Sequence, residues 1–196
     1  MTENPAPKRG RPTAEERLLR HQRILDSAVA QFAARGLARS SLDEIAAGAG
    51  VTKRTLYADY GDKQAIFAAA VSREHDRLRE AAAHPVTLLA LCTEIVHVLH
   101  ADTAVALHRA VLTEAAHAPQ LAAEFYDAGP RHSIDLLSSF AQDARPAQVR
   151  ALYSLLLGDT HRRRLLGLDG APDRAEAGRQ AGEALTLLGF SPGDGR

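Results

Sequence analysis

Four consecutive residues, Thr52-Lys53-Arg54-Thr55, carry two hydroxyls and two cations. At the start of a helix, that set suits reading of the DNA major groove. There the N-terminal side chains reach base edges, and the positive end of the helix dipole faces phosphates. Arg54 and Lys53 match guanine edges, Thr55 matches a thymine methyl or a phosphate, and the Tyr57 hydroxyl matches a phosphate.

The elements that must position these side chains are legible around them. Ser41 is a helix cap, and Glu44, three residues on, completes a capping box. Leu42, Ile45 and Ala46 share one face of the helix they begin. Gly48 and Gly50 suit the exit into a sharp turn, Val51 fills the gap, and Thr52 caps a second helix to about Tyr60. Leu56 points to the core, while Tyr57 and Tyr60 pack their rings and turn their hydroxyls outward. Gly61 ends the helix, Asp62 caps the next, and Lys63 sits in that helix's first turn.

Gly50-Val51, Thr55-Leu56-Tyr57, Tyr60, Lys63, Ile66 and Phe67 resemble the DNA-binding domain of the tetracycline-repressor (TetR) family of bacterial regulators. The resemblance runs from about Ala14 to Val71. It implies that the second helix of the motif enters the major groove, with Thr52, Lys53, Arg54, Thr55 and Tyr57 on DNA and with Ser41 and Lys63 on phosphates. Asp59 departs from the residues usual at its position. It points away, pairs with a nearby Arg, or accepts from a cytosine amino group. Leu107 to Gly129, with Glu114, Pro119, Leu121, Phe125, Tyr126 and Gly129, is similar to the ligand-binding domains of one branch, with the pattern E…P.L…F…G.

Upstream, Lys8-Arg9-Gly10-Arg11-Pro12 resembles the core of an AT-hook, so Arg9 and Arg11 are expected in a minor groove or on phosphates. Residues 1–12 read as a flexible basic arm. Thr13 and Glu16 make another capping box, opening a helix to about Arg35 with the apolar stripe Ile24, Leu25, Ala28, Phe32 and Ala33. Gly36 ends it.

The chain has 196 residues, 45% of them hydrophobic, and no formal net charge. Residues 1–63 nevertheless hold eleven Lys and Arg against eight Asp and Glu, and the remainder thirteen against sixteen. That is +3 against −3, and all three lysines fall in the first part. Abundant Ala, Leu and Arg, few β-branched residues and no Trp predict an all-α fold. A lone Cys92, no apolar run of membrane length and no secretory leader fit a cytoplasmic protein with no membrane partner.

After a boundary at His84-Pro85, helices are expected over 86–100, 103–117, 119–127, 131–143, 146–168 and 173–188, with a break at Gly129-Pro130. The division is therefore 1–12 arm, 13–72 helix-turn-helix head of three helices, 73–190 helical ligand-binding and dimerisation bundle, and 191–196 tail.

His97 and His100 share a helix face at i, i+3, a spacing that could hold a metal, but no Asp, Glu or Cys completes a ligand set. Neither a metal nor a cofactor is expected. In the related fold these helices line a pocket for a small-molecule effector. His97, His100, His108, Phe125 and Arg131 are its expected lining. Leu152, Leu155, Leu156, Ala181 and Leu185 lie on two apolar stripes and suit a four-helix homodimer interface, as related regulators form. These features together read as a sequence-specific regulator on double-stranded operator DNA, a homodimeric repressor relieved by an unidentified effector. The alternatives are a helical interaction module, or an enzyme using the body histidines. No G-x-S-x-G, H-E-x-x-H or phosphate loop supports catalysis.

Overall fold

The computed structural model describes residues 13–82 and 87–190, and for 74, 75, 77–79, 81 and 82 the backbone alone. The basic arm with Arg9 and Arg11, the His84-Pro85 boundary and the tail 191–196 lie outside the described residues. The fold is all-α: α1 (Ala14–Arg39), α2 (Leu42–Ala49), α3 (Lys53–Tyr60), α4 (Lys63–Ala82), α5 (Leu88–Leu99), α6 (Asp102–Glu114), α7 (Pro119–Tyr126), α8 (His132–Phe140), α9 (Pro146–Leu166) and α10 (Arg174–Leu187). No described helix is long and apolar enough to cross a membrane alone.

Helix α1 starts on a full capping box. The Thr13 hydroxyl accepts from the Glu16 N–H, and Glu16 accepts from the Thr13 N–H. Its backbone leaves helical geometry at Gly36 before a last turn to Arg39. Ile24, Leu25, Ala28 and Phe32 are buried as the spacing predicts. Ala33 is exposed and Val29 buried in its place, because the partners α2, α4 and α6 cover the 25/28/29/32 side of the helix. Phe32 meets Phe67 edge-on, with ring centroids 5.6 Å apart.

Two apolar clusters organise the chain. The first joins α1–α4 with Leu107, Ala110 and Val111 of α6 and Leu121 of α7. The second joins α5, α8, α9 and α10. Leu152, Leu156, Ala181 and Leu185 are fully buried in that second cluster, within one chain. Their expected place in a dimer interface is therefore corrected: α5 packs on α10 and takes up the apolar stripe. Leu155 does face outward, as do Leu166 and Leu187.

The expected break at Gly129-Pro130 is also corrected. Residues Asp127–Arg131 form a π-helical turn that carries α7 directly into α8. Pro130 has no N–H to donate, and the wider turn passes the chain over that gap. Helix α9 is interrupted at Gly158 (φ 56°, ψ −156°), a conformation that a side chain would oppose.

Candidate nucleic-acid interface and effector cavity

Helices α2 and α3 meet through a tight turn. Gly50 closes α2 in the left-handed region (φ 65°), and its N–H reaches the Ala46 and Ala47 carbonyls. Thr52 caps α3, accepting from the Thr55 N–H at 3.2 Å. The two hydroxyls lie 2.9 Å apart. Leu56 is buried under them. The outer side of α3 is thus free to present its N-terminal residues.

Those residues differ in availability. Arg54 is exposed and has no side-chain partner among the described residues, and Tyr57 is 54% exposed. Lys53 is exposed and paired with Asp43 at 3.0 Å, a hydrogen bond that pushes its ammonium pKa up. At the α2 N-terminus, the Ser41 hydroxyl accepts from the Glu44 N–H at 3.2 Å and donates to the Glu44 carboxylate at 3.1 Å. The expected reciprocal bond to the Ser41 N–H is not made, since Glu44 is also held by Arg35. The Ser41 N–H is left without a partner among the described residues, at a helix start suited to an anion.

Lys63 is placed otherwise than expected. Its Nζ donates to the Ala38 and Ser40 carbonyls, each at 2.9 Å. It satisfies the free carbonyls at the end of α1 instead of standing clear for a phosphate. Asp59 takes one of its three open alternatives, a pair with Arg20 at 3.1 Å, with His21 Nε2 3.8 Å away. The Tyr60 hydroxyl, expected outward, turns in to His21 Nδ1 at 2.9 Å. Arg20 and His21 therefore clamp the C-terminal end of α3 to α1, with the Asp59 carboxylate engaged there.

Behind the head lies an apolar cavity of about 40 Å³, lined among others by Val71 of α4, Leu107 and His108 of α6, Phe125 of α7, and Tyr153 and His161 of α9. Two expected lining residues, His108 and Phe125, are there. His100 is buried behind them, its ring stacked on His161 with centroids 5.0 Å apart. His97 does not reach the cavity. Arg131 is corrected to the surface, 62% exposed and paired with Asp127 at 2.8 Å across the π turn that both residues belong to.

His161, which carries no local sequence signal, joins the histidines. Its Nε2 lies 3.0 Å from His108 Nδ1, while its Nδ1 is buried without a partner. Burial pushes His108 down, and burial with neighbouring His108, His100 and Arg164 pushes His161 down to about 3. Burial, and then Arg164, pushes His100 down to about 4. All three rings are neutral near pH 7. Among the described residues no group of three or more His, Cys, Asp or Glu is arranged to hold a metal.

A helix-turn-helix head with an exposed cationic N-terminal turn, borne on a helical body with a cavity, defines a transcriptional-regulator fold. The family model "Bacterial regulatory proteins, tetR family" matches residues 24–70. The model "AefR-like transcriptional repressor, C-terminal domain" matches residues 86–188, more than half of the chain. The chain belongs to the TetR family of bacterial regulators.

The HTH-type transcriptional repressor SCO4008 of Streptomyces coelicolor is 42% identical over 52 residues, 26% of this chain and 27% of that protein. The HTH-type transcriptional regulator TtgW of Pseudomonas putida is 39% identical over 66 residues, 33% of this chain and 49% of that protein. The match thus spans a quarter to a half of these relatives' lengths. Among solved structures, a TetR-family regulator from Mesorhizobium loti superposes with a TM-score of 0.71 at 22% identity, over 90% of this chain and 97% of that one. The flavonoid-responsive regulator FrrA superposes with a TM-score of 0.63 at 26% identity, over 86% and 94%.

Proposed function

We propose that this chain is a homodimeric, sequence-specific DNA-binding repressor, released from its operator when a small molecule enters the cavity. One observation carries the ligand relief. Val71 of α4, which leads out of the head, and His108 of α6 both line the cavity. The same helix inserts Leu107, Ala110 and Val111 into the core of the head. A ligand that spreads this wall shifts α4 and α6 together, and with them the head. Affinity for DNA then falls by the ratio of ligand affinities in the two states. FrrA, named as flavonoid-responsive, is a structural neighbour consistent with this reading.

In this reading residues 13–72 bind DNA and 73–190 bind ligand and a second copy. Thr52, Lys53, Arg54, Thr55 and Tyr57 face the groove, and Ser41 faces a phosphate. The dimer face uses the outward side of α9 and α10, where Leu155, Leu166 and Leu187 are exposed. Two heads then enter successive major grooves about 34–36 Å apart on a near-palindromic site. No catalytic step is assigned.

The test is fluorescence anisotropy on the chain's own upstream DNA over a salt series, for wild type and Tyr57→Ala. Selective binding with a steep negative salt slope, lost in the variant, supports the reading. Equal affinity for random DNA favours a helical module that does not read sequence.

A further inference from the structure

The cavity behind the head has a lining whose chemistry selects its occupant. Among the described residues, none of its lining is Asp, Glu, Lys or Arg. The cations nearby are already engaged. Arg164 donates to the His100 and Asp169 carbonyls and to the Asp102 carboxylate. Arg109 donates to the Leu165 and Arg164 carbonyls. Arg131 is outside with Asp127. A carboxylate or ammonium in the cavity would be a buried charge with no described side chain to compensate it.

The polar side chains of the wall are His108, His161 and Tyr153. Two neutral imidazoles hold two N–H groups and two lone pairs, and the 3.0 Å bond between His108 Nδ1 and His161 Nε2 uses one of each. One N–H and one lone pair remain, on His108 Nε2 and His161 Nδ1, and their roles exchange if the bond reverses. His161 Nδ1 is buried and unpartnered. His108 Nε2 and the Tyr153 hydroxyl have no partner among the described residues either. A group that both donates and accepts fits either arrangement of this pair, and a hydroxyl is the smallest organic group that does. Phe125, tilted on His108 with ring centroids 5.3 Å apart, and Tyr153 supply faces for a ring.

We infer that the effector is an uncharged aromatic molecule carrying a hydroxyl, recognised through the His108–His161 pair. The inference rests on the cavity being the effector site. At about 40 Å³ the cavity holds no more than a few waters as it stands, so the ring makes its own room. Gly129 and Pro130 belong to the π turn, and Leu157 adjoins the Gly158 interruption of α9, so the wall has two places where it can yield.

The test is isothermal titration of the full chain with three probes built on one methylbenzene ring: p-cresol, toluene and 4-methylbenzoate. The expected result is p-cresol binding about tenfold or more tighter than either of the others. His108→Phe and His161→Phe, each checked for folding by circular dichroism, should cut that preference to about threefold or less. If a variant does not fold, the wild-type order of the three probes still decides. Equal or tighter binding of 4-methylbenzoate overturns the inference. So does a p-cresol preference that survives both substitutions, or no p-cresol binding at millimolar concentration. Anisotropy on operator DNA separates the two readings. Selective p-cresol binding without loss of DNA affinity removes ligand relief and leaves the cavity assignment. DNA release by the charged probe alone does the reverse.

Discussion

The Glu114 carboxylate, at the end of α6, accepts from the Ala38 N–H at the end of α1, 3.2 Å away. It is a polar tie between the helix that lines the cavity and the helix that backs the DNA-binding motif. Glu114→Ala should lower stability by about 1 kcal/mol, a shift of roughly 2–4 °C in Tm for a chain of this size. Operator affinity without ligand should stay within about threefold of wild type, because the apolar contacts of α6 persist. Thermal unfolding and anisotropy check both. An unchanged Tm would mean that the apolar contacts alone hold α6 to the head.

The Arg20–Asp59 pair ties the end of α3 to α1. Asp59→Ala should therefore weaken operator binding by several-fold while leaving the preferred sequence unchanged. Selection from randomised duplexes measures the preference directly. A new base preference at one position would show that Asp59 does touch DNA.

Arg54 has no side-chain partner among the described residues, whereas Lys53 must leave Asp43 to reach DNA. Arg54→Ala should cost about 1–3 kcal/mol of operator affinity, the scale of a base contact, and Lys53→Ala less. Asp43→Asn should raise affinity a few-fold by freeing Lys53 and removing a negative charge. If Asp43→Asn binds more weakly, the pair orders the interface in place of competing with DNA.

Acid should destabilise the body through its buried histidines. His100 and His161 titrate at about 4 and about 3 in the folded chain, against an ordinary 6.5. Between 6.5 and about 4 the unfolded state binds more protons, so stability falls as pH falls through that window and is fully present above it. Each group contributes a slope approaching about 1.4 kcal/mol per pH unit. Urea unfolding at pH 7, 6 and 5 should show the loss, and His100→Phe should flatten it by about half. A midpoint independent of pH would mean that the rings charge freely in the fold.

A Cβ on Gly48 would stand 2.4 Å from Ser27 Oγ and 3.3 Å from Ser27 Cβ. That hydroxyl donates to the Ile45 carbonyl at 2.9 Å, so it cannot swing aside without loss. Gly48→Ala should destabilise the head by about 1–3 kcal/mol. Adding Ser27→Ala should recover part of it, measured as Tm in the double variant. No recovery would place the clash elsewhere.

The head was legible because its signals are local. Ser41, Gly50, Thr52, Gly61 and Asp62 each act within a few residues, and the structure places a cap or turn at every one. The cavity was not, because His108 and His161 are 53 residues apart and only the packing of α6 on α9 pairs them. Leu152, Leu156, Ala181 and Leu185 misled for a related reason. A buried stripe reads the same whether its own α5 or a second copy covers it. Arg131 was misplaced because it belongs to a π turn where the sequence reads as a break. Asp59 and Lys63 were resolved only by α1, which lies far away in sequence.

Because α6 completes the core around Ile24, Phe32 and Phe67, the head is not a portable part. Chimeric regulators made by grafting one relative's reading helices onto another's body presume a clean seam after α4. Here that seam would leave the grafted head facing a foreign helix at Leu107, Ala110 and Val111. Substitution on the outer side of α3 leaves that shared core untouched, whereas a change of volume in α1 must be matched in α6.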